Sequence, residues 1–188
     1  MEAGSDTTRN QNNLLIAAAA TDMSWVHRVR KDLDAVCGHN AERLPTYDDV
    51  EKLPIIYAVI KESLRWRPNI AESGTPHKLT EDMEFEGYKF KKGTLFTWNS
   101  WHISLSPKEY ENPYAFVPER YMNEHVYDTL QGHWGFGAGR RACVGYHVAA
   151  RNMFIVFSRL LYCFDFLEDP VSFTVQVALM SRANLLTL

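Results

Sequence analysis

Cysteine is scarce in this chain: Cys37, Cys143 and Cys163 are its three thiols among 188 residues. An odd, widely spaced set excludes the paired framework of a small secreted protein and has no zinc-type spacing, so reduced thiols are expected. Long apolar runs are missing too. The longest, Leu14 to Ala20 and Met153 to Phe157, fall far short of the roughly 20 residues that cross a bilayer, and no signal peptide is visible. Nor is there an excess of positive charge. A net charge of -3 argues against general nucleic-acid binding. Repeats, low-complexity stretches and internal linkers are absent. What remains, 46% hydrophobic and 23% charged residues, is the composition of one globular domain, or part of one, with enough chain to bury a core. Aromatic residues, at 13%, suit a lined pocket and an ordinary core equally.

Periodicity places helices toward both ends. Residues 3 to 20 read as helix, with Ala17 to Ala20 favouring it against the poor helix formers Asn10, Asn12 and Asn13. From Asp22 to Val36, Trp25, Val29, Leu33 and Val36 recur at helical spacing, and Gly38 supplies the stop. After a turn at Pro45, a third helix carries Tyr57, Ile60 and Leu64, ends by Pro68, and puts Glu62 and Arg65 on one face. Residues 77 to 98 alternate, punctuated by Gly87 and Gly93, and predict short strands in a small sheet. Between Ser106 and Gly132, Pro107, Pro113 and Pro118 exclude long helices. A last helix is expected from about Cys143 through Ala149, Met153, Val156 and Leu160. The fold class is therefore mainly α with a small β-sheet region.

The densest chemical signal is Phe136 to Gly145, Phe-Gly-Ala-Gly-Arg-Arg-Ala-Cys-Val-Gly. A single cysteine follows a glycine-rich turn and two arginines, which suits a thiolate held against a large planar anionic cofactor. Backbone packed flat against a ring system has no room for side chains, and glycine also reaches positive φ without penalty, which explains Gly137 and Gly139. The field of Arg140 and Arg141, with the N–H groups of a helix starting near Cys143, would favour sulfur in its anionic, metal-binding form.

This loop resembles the haem-binding signature of cytochromes P450, in which a Phe, two glycines, an Arg, the Cys and a closing Gly recur at the spacing of Phe136, Gly137, Gly139, Arg141, Cys143 and Gly145. Three further segments stand in the family's order. Ala3-Gly4-Ser5-Asp6-Thr7-Thr8 is similar to the oxygen-activation motif of its long distal helix, Glu62-Ser63-Leu64-Arg65 to its ExxR motif, and Pro118-Glu119-Arg120-Tyr121 to its PERF motif. Singly these are weak signals. A Glu and an Arg three apart on a helix are ordinarily a solvated pair, and Ser5 or Asp6 would equally serve as an N-cap. The succession carries the resemblance. Leu53-Pro54, Arg65-Trp66-Arg67-Pro68, Pro76-His77 and Lys92-Gly93-Thr94 are similar to fungal-type eukaryotic members involved in specialised metabolism.

The resemblance runs from residue 3 nearly to the C-terminus, yet the family's catalytic domain is well over twice as long. It therefore implies the C-terminal portion of the cytochrome P450 fold, residues 1 to 188 forming one partial domain from the end of the distal helix through the cysteine loop and proximal helix. Met1, two residues ahead of Ala3, is compatible with a partial gene model, a truncated product or an internal start.

The implied cofactor is haem b, with Cys143 as the iron ligand. Thiolate ligation pushes electron density onto iron and favours O–O cleavage, for which P450s are the standard example. The resemblance makes Thr7 the residue that holds bound dioxygen and an ordered water, and Asp6 the link from that water to solvent. Ala3 shares a helix face with Thr7, and Gly4 leaves space beside the haem. Arg141 and His77 are the candidates for the haem propionates. Phe136 would pack near the sulfur and tune its exposure, and Trp134 either does likewise or is a core aromatic. Glu62, Arg65 and Arg120 would form a buried charge network behind the haem that fixes the cysteine loop. Asn69 to Ser73 and Ala178 to Met180 match pocket-lining stretches. The remaining histidines, at positions 27, 39, 102, 125, 133 and 147, show no ligand spacing and read as surface or satisfied core residues. Ser104 and Ser106 replace the His and Asp often found in the meander, and after Pro170 the fit is loose, so remodelled last strands are expected.

The implied function is insertion of one oxygen atom from O2 into a small organic substrate, with electrons from NADPH through NADPH-cytochrome P450 reductase. The alternative is a truncated, non-catalytic haem-binding or partner-binding fragment. A cysteine-dependent redox or hydrolytic enzyme lacks a paired His at motif distance. A full-length eukaryotic member would be anchored in the endoplasmic reticulum membrane; a chain without an anchor is expected to be cytoplasmic or peripheral.

Overall fold

The structure, a computed structural model, describes residues 2–39, 41–69, 76–168 and 175–178. Five helices dominate it: α1 (Glu2–Thr21), α2 (Ser24–Cys37), α3 (Pro54–Trp66), the short α4 (Ser100–Ser104) and α5 (Tyr146–Cys163). Six short strands pair two by two, β1 (His77–Lys78) with β4 (Leu95–Phe96), β2 (Met83–Phe85) with β3 (Tyr88–Phe90), and β5 (Asp165–Glu168) with β6 (Val175–Ala178), all antiparallel. No helix among the described residues is long and apolar enough to cross a membrane.

The core forms where α1, α2 and α5 surround α3. Pro54 opens α3 at a position where its missing N–H has no intrahelical partner to lose. Every residue from Ile55 to Arg65 is buried, so this helix has no solvent face and its polar residues must find partners inside. Trp25, Val29 and Leu33 of α2 and Met153, Phe154, Phe157 and Leu161 of α5 complete the cluster. Each such fully buried side chain contributes about 1.5–3 kcal/mol. The helical pattern read from Trp25 to Val36 thus turns toward the core, and Gly38 ends α2 with φ +89°, its N–H donating to the Asp34 carbonyl at 3.0 Å. Arg30, also buried, closes the other end of the layer: Nε donates to the Leu161 carbonyl at 2.7 Å, and its outer nitrogens reach the Phe164 carbonyl and the Asp165 carboxylate.

Two expectations are corrected. The strands between residues 77 and 98 form two separate two-stranded sheets instead of one: β2 folds tightly back on β3 through Glu86 and Gly87, at φ +51° and +81°, and this hairpin lies in the chain between β1 and β4, which pair with each other. The last helix starts at Tyr146, three residues after Cys143. The Cys143 N–H is committed to the Phe136 carbonyl at 2.8 Å, so its backbone closes the loop instead of opening the helix.

Candidate active site around Cys143

Three hydrogen bonds shape the loop. The Gly137 N–H donates to the Trp134 carbonyl at 3.0 Å, the Ala142 N–H to the Gly139 carbonyl at 3.1 Å, and the Cys143 N–H to the Phe136 carbonyl. Gly137 and Gly139 sit at φ +74° and +61°, the left-handed region in which a side chain is strained. At Gly137 space is also tight, since an added Cβ would stand 3.2 Å from the Trp98 ring. Trp98 in turn meets the His77 ring edge to face, centroids 6.2 Å apart, so one indole joins the β1 histidine to the cysteine loop. The Phe136 ring lies 6.0 Å from His133 and 6.2 Å from Tyr146. A cavity of 510 Å³ runs along the turn, lined by Glu109, Tyr110, His133, Trp134, Gly137, Gly139 and Ala142 among others.

Cys143 is an exposed free thiol, whereas Cys37 is buried and Cys163 half-buried, and burial pushes the thiols of both Cys37 and Cys163 up from their ordinary value. Arg140 and Arg141 are exposed beside Cys143, and neither forms an ion pair among the described residues.

Behind the loop, α3 presents a buried charge network. Arg65 grips Glu62 with two bonds, Nε to Oε2 at 2.7 Å and Nη2 to Oε1 at 2.8 Å, and both side chains are wholly buried. Its other donors reach the carbonyls of Ser104, Pro113 and Ala115 at 2.9, 2.7 and 3.1 Å, and its guanidinium lies over the Tyr110 ring. Glu62 Oε1 also accepts from the Val117 N–H at 2.8 Å and from Arg120 Nε at 3.2 Å. One helix turn thereby holds the irregular segment from Ser104 to Arg120. The Ser104 position serves through its backbone carbonyl, which any residue could supply.

The α1 motif has a different character. Ser5 and Asp6 lie inside α1, which rules out the N-cap reading. Asp6 pairs with Arg9 at 3.1 Å on the surface. Gly4 and Thr7 are exposed, and a Cβ added at Gly4 would meet nothing within 4 Å. Asn69, just past α3, donates to the Thr7 carbonyl and to the buried Gln11 Oε1, each at 2.9 Å, and so links the α1 motif to the end of the network helix. Ala3 belongs to α1, but its side chain, with residues 70–73 and 179–180, lies outside the described residues. The sequence reading did not single out Trp98 or Gln11; it placed Asn69 in a pocket-lining stretch without its partner Gln11, and it left His133 between surface and core, where the structure buries it.

These residues fit a flat anionic group bound through sulfur. The set offers a soft, accessible sulfur donor, a wall without side chains at Gly137 and Gly139, open space around Gly139, and two exposed cations. Among the described residues no group of three or more His, Cys, Asp or Glu could hold a metal ion.

Comparison with known proteins agrees. The family model "Cytochrome P450" matches residues 1–182. Cytochrome P450 monooxygenase aneD of Aspergillus aculeatus is 39% identical over 165 residues, 88% of this chain and 31% of that protein. Cytochrome P450 monooxygenase patH of Penicillium expansum is 39% identical over 181 residues, covering 91% of this chain and 34% of the relative. Among solved structures, a zebra fish cytochrome P450 with progesterone superposes at a TM-score of 0.75 with 32% identity, over 90% of this chain and 38% of that one. The chain spans about a third of the length of these curated relatives. With the cysteine loop, the buried α3 network and the helical fold all in the family's order, this chain belongs to the cytochrome P450 family.

Proposed function

We propose that this chain carries the C-terminal catalytic part of a haem-thiolate monooxygenase, from the end of the distal helix through the cysteine loop, which inserts one oxygen atom from O2 into a small organic substrate. The observation that supports it most is the exposed Cys143 thiol, set behind a turn whose two glycines both sit at positive φ and braced by the wholly buried Glu62–Arg65 pair. Haem b, when bound, supplies reductive activation of O2. The chain's own residues bind and orient it. Cys143 Sγ would be the iron ligand, Gly137, Gly139, Ala3 and Gly4 would leave room for the ring, Phe136 would pack near the sulfur, and Arg141 and His77 would hold the propionates. Thr7 Oγ1 positions the reacting oxygen and a water, and the Asp6 carboxylate passes a proton inward from solvent, releasing Arg9 as it does so. Glu62, Arg65 and Arg120 keep the loop in place without touching substrate. The electrons come from NADPH through NADPH-cytochrome P450 reductase, at the endoplasmic reticulum membrane where a longer protein supplies an anchor.

A second reading is favoured by Val144, fully exposed, and Val148, 65% exposed, on the α5 side of the loop. In it the 188 residues bind haem or a partner without turning over substrate. One spectrum addresses both. The chain is supplied with haem, reduced and exposed to carbon monoxide. A red-shifted Soret band of cysteinate type, absent in Cys143→Ser, supports the site, and turnover with reductase then separates the two readings. A band of neutral-ligand type in the parent chain overturns the assignment of Cys143.

A further inference from the structure

His133 lies outside the signature, and nothing in the proposed reaction uses it, yet it is the most deeply buried histidine of the chain, 5% exposed. Its Nδ1 accepts the Gly135 N–H at 3.1 Å. An imidazole that accepts at Nδ1 must be neutral and carry its proton on Nε2. The surroundings keep the ring neutral. Burial first, and then the Lys61 ammonium, hold its pKa down at about 4, against the opposing pull of the Thr129 backbone and the Asp128 carboxylate. Lys61 itself is buried on α3, donates to the His125 carbonyl at 2.6 Å and stands over the Tyr121 ring.

The ring is clamped from both sides. Tyr121 meets it edge to face at 6.3 Å, and Phe136 packs at 6.0 Å on a tilt. Gly135, whose N–H it holds, is pressed against α3: an added Cβ would stand 2.9 Å from the Leu64 Cβ. A short relay then leads to the iron ligand. Gly135 N–H goes to His133 Nδ1, Gly137 N–H to the Trp134 carbonyl, and Cys143 N–H to the Phe136 carbonyl. The first of these bonds is the only one of the three made by a side chain, and so the only one set by residue identity.

We infer that His133 is a positioning residue for Cys143: as a neutral acceptor wedged between Tyr121 and Phe136, it fixes the Trp134–Phe136 turn whose carbonyl holds the cysteine backbone. Any bulky apolar residue would fill the space, but none would accept the Gly135 N–H. Asparagine would, since its Oδ1 accepts from the N–H two residues on in an Asx turn. This inference rests on the reading of Cys143 as the haem ligand for its consequence, but not for its geometry.

The test compares the parent chain with His133→Leu and His133→Asn. Hydrogen exchange of the haem-free chain is read first. The amides of Gly135 and Cys143 should exchange roughly tenfold faster in His133→Leu, with the amides of α3 and α5 unchanged, and return to the parent rate in His133→Asn. In the haem-loaded chain, His133→Leu should move part of the reduced carbon monoxide band from the cysteinate to the neutral-thiol position, and His133→Asn should restore it. Unchanged loop exchange in His133→Leu overturns the inference. If that variant unfolds throughout, His133→Asn decides: parent-like exchange in the loop supports the inference, and fast exchange confined to the loop overturns it. A parent chain that shows the loop effect but never the cysteinate band would remove the haem reading alone.

Discussion

Two pairs of a carboxylate and an arginine three residues apart stand on two helices of this protein, and they have opposite physics. Arg9 and Asp6 on α1 meet at 3.1 Å with side chains 69% and 51% exposed. Arg65 and Glu62 on α3 meet at 2.7 Å with both at 0%. The first pair is solvated and screened, and such pairs are worth a few tenths of a kcal/mol. In the second, water has been replaced completely. Arg65 places all five of its N–H donors, two on Glu62 and three on carbonyls of the segment from Ser104 to Ala115. The lesson is that spacing alone says nothing about worth; the difference comes from what the rest of the chain brings to the helix.

The largest expected effect breaks the α3 pair. Glu62→Gln leaves Arg65 and Arg120 as adjacent cations in a site with no counter-charge, and should lower the unfolding free energy in urea by about 3–5 kcal/mol. Glu62→Ala or Arg65→Ala should abolish haem incorporation as well, read as loss of Soret absorbance per chain. If either variant kept full haem occupancy, the network would have no part in positioning the loop.

A second test uses acid, because the region behind the loop also buries His133. Its pKa is about 4 in the folded chain against 6.5 for the free side chain. The unfolded chain therefore takes up the proton first. Stability from this group is complete above 6.5, falls as pH drops from 6.5 to 4, and is flat below. The full loss is on the order of 3 kcal/mol. His133→Asn should flatten this part of the pH profile, and an unaltered slope would mean that other groups cause it.

Much of the fold was legible in the sequence, since helical periodicity survives in one chain: Trp25, Val29 and Leu33 face the core as their spacing implies. What was not legible involves partners distant in sequence. Nothing local to Glu62 and Arg65 reveals three carbonyls some 40 to 50 residues away, and the PERF-like segment identified Arg120 only through resemblance. His133 read as an ordinary histidine because its partner, Gly135, supplies a backbone N–H. The start of α5 was misplaced for a similar reason, since the Cys143 N–H goes back to Phe136, a pairing that helix-start signals do not encode. The tight β2–β3 hairpin follows from positive φ at Glu86 and Gly87, and a glutamate does not announce that conformation.

Arg120 sharpens the comparison between the two pairs, because it is intermediate. Its side chain is 15% exposed, its Nε reaches Glu62, its Nη1 the Glu111 carbonyl at 3.2 Å, and its Nη2 is buried without a partner among the described residues. Arg120→Met removes a cation that is incompletely satisfied and leaves Glu62 neutralised by Arg65. The expected cost in urea is about 1–2 kcal/mol, less than for Glu62→Gln. An equal cost would show that the three charges act as one indivisible unit.

The smallest structural effect belongs to the exposed pair, and there the comparison reverses. Arg9→Ala and Asp6→Asn should each change stability by less than about 0.5 kcal/mol. If Asp6 carries the proton proposed for it, Asp6→Asn should nonetheless cut product formation by the 10²–10⁴-fold typical of a lost acid–base group, with more reducing equivalents ending in peroxide, whereas Arg9→Ala keeps the carboxylate and should leave turnover near the parent rate. Measured side by side in a haem-loaded, reductase-driven assay, the two variants remove the same ion pair and differ only in whether the carboxylate remains. Equal turnover in both would assign Asp6 no role beyond the surface. A loss confined to Asp6→Asn would mean that the pair with negligible structural worth supplies a reacting group, while the buried pair, on which the fold depends, never touches substrate.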